Sequence, residues 1–109
     1  MRSLPQVENK LDTIFSDEAV DELVTIQDVV RWAATEFNRA GLFFGHGTDN
    51  AWDEAVQLIM PSLNLELQSN IMILQSRLTK RERQMLIELV VIRIEQRIPV
   101  PYLTNSAWF

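Results

Sequence analysis

Thr25-Ile26-Gln27-Asp28-Val29-Val30-Arg31-Trp32-Ala33-Ala34-Thr35-Glu36-Phe37-Asn38-Arg39-Ala40-Gly41 is the stretch that decides the fold class. Thr25 followed by Asp28 is a capping-box pattern, with Asp where Glu is usual. The threonine hydroxyl accepts from the amide three residues on, and the carboxylate accepts from the N-cap amide. Ile26, Val29, Val30, Ala33, Phe37 and Ala40 then recur at i, i+3, i+4, i+7, i+11 and i+14, one face of an α-helix. Gly41 stands where a left-handed residue stops a helix. Start, stripe and stop agree.

The same grammar extends in both directions. Asp49 or Asn50 caps a second helix, with Asp53 three residues after Asn50, and Trp52, Ala55, Val56, Ile59 and Leu63 form its expected inner face. Pro61 ends that helix or sits in its last turn. Thr79 and Glu82 form a full Thr-x-x-Glu capping box ahead of a long helix. From Met85 to Ile94 only Glu88 and Arg93 are polar, so this helix is expected to be central and buried, stopping before Pro99 and Pro101.

Between these helices Leu63-Asn64-Leu65-Glu66-Leu67 alternates with period two. Five isolated residues make no sheet, so an extended connector with its leucines turned inward is predicted, then a short helix from Asn70 to Arg77. Upstream, Pro5 opens a short helix carrying Val7, Leu11, Ile14 and Phe15. Ser16 is an N-cap candidate before Asp17 and Glu18, acids that suit a helix start, with Val20, Leu23 and Val24 as the next apolar patch. Pro99 to Thr104 reads as one more helical turn. The expected architecture is an all-α bundle of five or six helices.

Composition removes whole classes of function. The 109 residues fit one domain, and 47% hydrophobic content is enough for a core. No cysteine means no disulfide scaffold, thiolate nucleophile or cysteine zinc site. One histidine, His46, argues against a His-ligated metal, and no metal site is expected. Glycines only at 41, 45 and 47 leave no phosphate-cradling loop. No apolar run is long enough for a membrane span, and no signal peptide follows Arg2, so a cytoplasmic protein is expected.

Charge is segregated. Residues 1–54 carry eleven acids and four bases, whereas residues 77–109 carry six bases and three acids. An acidic front half disfavours broad phosphate binding and suits a basic protein partner.

Three motifs together resemble a known family. They are Thr25-Ile26-Gln27-Asp28 with Arg31-Trp32, the run Gly45-His46-Gly47-Thr48-Asp49-Asn50-x-Trp52-Asp53-Glu54-Ala55, and Arg97-Ile98-Pro99-Val100-x-Tyr102-Leu103-Thr104-Asn105. Over residues 12 to 109 the chain resembles the N-terminal domain of the ribosomal-protein glutamine methyltransferases of the HemK family. Ala51 stands where that pattern expects proline.

The resemblance implies a two-domain enzyme. A C-terminal doubly wound domain would bind S-adenosyl-L-methionine and transfer its methyl group to a glutamine amide nitrogen. Residues 16–98 would be a helical docking domain for a basic large-subunit ribosomal protein, packed on the methyltransferase domain. Residues 1–15 would be an extension and 99–109 the start of the connector. The apolar end Ala107-Trp108-Phe109 fits a chain cut as a strand begins. No catalytic or cofactor-binding residue is expected in these 109 residues.

Substrate-docking candidates are His46, Thr48, Asp49, Trp32 and Phe44. Each has a plainer role beside it. His46 is a loop residue with local hydrogen bonds, and Asp49 is a helix cap. Trp32 packs between domains, and Phe44 packs beneath its loop, whereas Trp52 is expected in the core. Arg77, Lys80, Arg81 and Arg83 are the only basic cluster, read either as a solvated helix start or as a ribosomal RNA contact. Two further classes stay open: an RNA-binding helical module, and a protein adaptor with no enzyme attached.

Overall fold

The computed structural model describes residues 16–44 and 48–106. Helix α1 covers 16–22, α2 Ile26–Arg39, α3 Ala51–Ser62, α4 Lys80–Gln96 and α5 Val100–Ser106, with a 3₁₀ helix at Ile71–Gln75. No strand occurs among the described residues. The fold is all-α, as the periodicity predicts. The Pro5 helix lies outside the described residues.

Each main helix starts where its side-chain chemistry requires. At α2, Thr25 Oγ1 accepts from the Asp28 amide at 3.0 Å, and Asp28 Oδ2 accepts from the amides of Val24 and Thr25 at 3.0 Å each. Asn50, not Asp49, caps α3. Thr79 and Glu82 complete the box at α4.

The helix ends are as specific. After α2, the amides of Gly41 and Leu42 donate to the carbonyls of Asn38 and Phe37. After α3, the amides of Asn64 and Leu65 donate to Pro61 and Met60 in the same pattern. Both are Schellman closures with a left-handed residue, Gly41 (φ 67°) and Asn64 (φ 60°). Asparagine tolerates this backbone better than most residues.

That closure corrects the expected connector at 63–67. The chain turns at Leu63–Asn64 instead of extending. Leu63 and Leu65 pack partly on the core, but Leu67 is 46% exposed. The predicted helix at 70–77 is only the short 3₁₀ segment, capped by Asn70.

The core lies where α2, α3 and α4 meet. Val29, Val30, Phe37, Leu58, Ile59, Leu86, Ile87 and Val90 are fully buried. Here α4 is one wall of the core, not its centre. It buries Leu86, Ile87, Val90 and Arg93, while Met85, Leu89, Ile92 and Ile94 are only half-buried. An apolar run lacks the period that would reveal which face turns inward. Helix α5 packs on α3 and α4, burying Val100 and Leu103.

Two long-range ties fasten the start of the described chain to α4 and to the segment just ahead of it. A single antiparallel bridge pairs Thr25 with Arg77, through Ile26 N to Ser76 O and Leu78 N to Val24 O. Arg83 donates from Nε to the Val20 carbonyl (2.7 Å) and from Nη1 to that of Leu78 (2.8 Å). A cation is favourable there, against the carbonyl end of α1. No helix among the described residues is long and apolar enough to cross a membrane.

The α2 cap should be measurable. The backbone amide of Thr25, aided by that of Val24, holds the Asp28 carboxyl below the usual carboxylate range against partial burial. A lowered folded-state pKa means that the unfolded chain binds the proton more readily, so the stabilisation is present above the ordinary aspartate pKa of about 3.9 and fades as pH falls through the folded value. Replacing Asp28 by alanine should cost about 1 kcal/mol in urea unfolding at pH 7. The gap from the parent chain should narrow at pH 3. A gap that stays constant with pH would show that the carboxylate charge contributes nothing.

Candidate functional site

The glycine-rich loop between α2 and α3 is tied down by one buried ion pair. Glu54, in the first turn of α3, meets Arg93 of α4, with Nε to Oε2 at 2.7 Å. Their side chains are only 4% and 5% exposed. The second carboxylate oxygen, Oε1, accepts from the Thr48 hydroxyl at 2.8 Å. Arg93 Nη2 donates to the Phe43 carbonyl at 3.3 Å. So the segment leaving α2 and the segment entering α3 are pinned to the same two charges.

Burying a charge is costly unless it is paired and hydrogen-bonded. Both carboxylate oxygens are occupied, and no buried side-chain nitrogen or oxygen among the described residues lacks a partner. An occupied carboxylate is poorly placed to act as a base. The arrangement holds backbone in position. It leaves the Phe43 side chain 79% exposed while its carbonyl is clamped from below.

The ion pair also sets the rotation of α3. Its buried face is Ala51, Glu54, Ala55, Leu58, Ile59, Met60 and Ser62. Trp52, expected in the core, is instead 40% exposed on the flank, and Val56 is half-buried. Apolarity alone puts Trp52 inward, but the partner on α4 puts Glu54 there.

Of the docking candidates, three belong to this loop and its anchor. Thr48 is buried as a donor to Glu54, Phe44 is half-buried against the core, and Asp49 is exposed just before the cap. His46 lies outside the described residues. Trp32 is elsewhere. It lines a groove between α1 and α2 with Ala19, Leu23, Glu18, Glu22, Glu36 and Arg39.

The basic candidates also separate. Arg77, Lys80 and Arg81 are exposed around the start of α4, whereas Arg83 is engaged by two carbonyls of its own chain. Glu54 and Arg93 were missed as a site by sequence reasoning. The available signal was one arginine inside the apolar run of α4. Among the described residues, no group of three His, Asp or Glu side chains is placed to hold a metal ion.

The chain is 48% identical over 92 residues to a ribosomal protein uL3 glutamine methyltransferase of Neisseria gonorrhoeae, covering 84% of this chain and 31% of the relative. It is 46% identical over 95 residues to the protein of the same name from Neisseria meningitidis, covering 87% and 31%. The chain is similar to ribosomal protein uL3 glutamine methyltransferases. It spans about a third of the length of these methyltransferase relatives. No family model and no solved structure matches.

A double-mutant cycle should separate the pair's cohesion from its cost. Either Glu54→Leu or Arg93→Met alone should destabilise the chain by about 3–5 kcal/mol, because each leaves one buried charge unpaired. The combined variant should recover most of that loss. Additive losses in urea unfolding would mean that the two side chains do not act as a unit.

Proposed function

We propose that this chain is the helical substrate-docking domain of an S-adenosylmethionine-dependent protein-glutamine N-methyltransferase acting on a large-subunit ribosomal protein. The observation that carries the reading is the Glu54–Arg93 pair, which holds the Phe43 carbonyl and Thr48 on either side of the Gly45–Asn50 run that resembles the family, with the Phe43 side chain and Asp49 exposed. A loop held by a rigid scaffold is a common way to place a binding surface. The similarity to the uL3 glutamine methyltransferases supplies the substrate class.

In this reading residues 16–98 dock the substrate, and 99–109 lead toward a methyltransferase domain on which the bundle packs. In this reading S-adenosyl-L-methionine is bound by that other domain, and Gly41 and Thr48 have structural tasks of their own. Gly41 closes a helix, and the Thr48 hydroxyl is committed to Glu54. No step of methyl transfer is assigned to this chain. Arg77, Lys80 and Arg81 would lie toward ribosomal RNA beside the substrate, in the cytoplasm.

The test uses the full-length methyltransferase that contains this sequence, with uL3 as substrate. Changing His46 and Asp49 together to alanine should raise KM for uL3 about tenfold, the size of a modest contact residue. The value of kcat and the affinity for S-adenosylmethionine should stay within about twofold, since uniform binding alone is lost. Deleting residues 1–95 should abolish activity on uL3 while sparing cofactor binding. Unaltered KM in both variants would refute the docking role.

A further inference from the structure

The groove between α1 and α2 is built differently from the rest of the surface. Glu18 and Glu22 project from α1 one turn apart, and Trp32 and Glu36 from α2 one turn apart. Ala19 and Leu23 complete an apolar floor, and the cleft encloses about 480 Å³. Trp32 packs partly on the core and partly lines the cleft. Glu36 is paired with Arg39 at 3.1 Å, but neither Glu18 nor Glu22 forms an ion pair with any described residue.

Helix α1 is also locally unfavourable. Asp17 and Asp21, and Glu18 and Glu22, are like charges at i, i+4 within the described part of α1, a spacing that destabilises. Residues 16–39 carry six acids against two bases. Local violations of this kind concentrate where a partner relieves them. The neighbouring cleft beside Asp17 and Asp21 contains Lys80, whereas in the Trp32 cleft the one described cation, Arg39, is paired with Glu36, and Glu18 and Glu22 have no ion-pair partner among the described residues.

We propose that the Trp32 cleft takes a lysine or arginine side chain from a basic segment of the protein substrate. The cation lies against the indole, with Glu18 and Glu22 closing around it. An indole face attracts a cation, more so when water is partly excluded, and rim carboxylates speed encounter with a basic partner. This rests on the docking reading above and gives it a second contact, away from the 43–50 loop.

Binding of the 109-residue chain to uL3, and separately to a fluorescent nona-arginine peptide, tests it. Glu18→Gln with Glu22→Gln should weaken uL3 binding about tenfold and flatten its salt dependence. Trp32→Phe should weaken it about threefold, and circular dichroism should show each variant still folded. Binding of uL3 that ignores all three changes would overturn the cleft while leaving the docking reading intact. If uL3 fails to bind but the peptide binds through these residues, the docking reading falls and with it the substrate as occupant, leaving only a cleft that takes basic side chains. If neither binds, both fall. Removal of residues 1–15 should leave uL3 affinity within about twofold. A tenfold gain would make that segment the occupant and overturn the proposal.

Discussion

The Glu54–Arg93 contact is the constraint on which the rest of this bundle depends. It joins α3 to α4 at 2.7 Å and holds both sides of the glycine-rich loop through Thr48 and Phe43. It also chooses which side of α3 turns inward. Apolar packing tolerates small rotations of a helix, but two buried charges do not. Replacing such a pair by well-packed apolar residues is often neutral or better for stability. Its value here lies in the geometry it enforces.

What was readable beforehand follows the range of the interaction. The caps at Thr25 and Thr79 and the stop at Gly41 are decided within a few residues and are found as read, and of the two candidates at the start of α3 the cap is Asn50, not Asp49. The ion pair spans 39 positions, and no local pattern announces it. Trp52 was misplaced for the same reason. Asn64 and Arg97 take left-handed backbone without being glycine. At 97 the guanidinium donates to the Ala40 carbonyl at the end of α2, a tie between distant elements that sequence spacing does not reveal.

The candidate site shows the same division. Thr48, Asp49 and Phe44 could be grouped in advance because they share one loop. Trp32 could be marked as lying off the apolar stripe, but the acidic cleft around it exists only once α1 is placed beside α2. Arg83 looked like a member of a basic cluster, yet the nearest carbonyls claim it. Side-chain charge is visible in sequence, whereas what a charge faces is not.

The Thr25–Arg77 bridge has a kinetic meaning. It joins residues 52 positions apart, with all of α2, α3 and the 3₁₀ helix between them. Local helix formation in such a chain is fast, but closing a loop of this length costs entropy before any reward arrives. The bonds around Val20, Val24, Ser76, Leu78 and Arg83 are therefore expected to form late in folding. Their closure would set the folding rate below that of a simple up-and-down bundle, where contacts are mostly between neighbours. A nascent chain emerging from the ribosome must complete α4's first turn before its own front end can be locked.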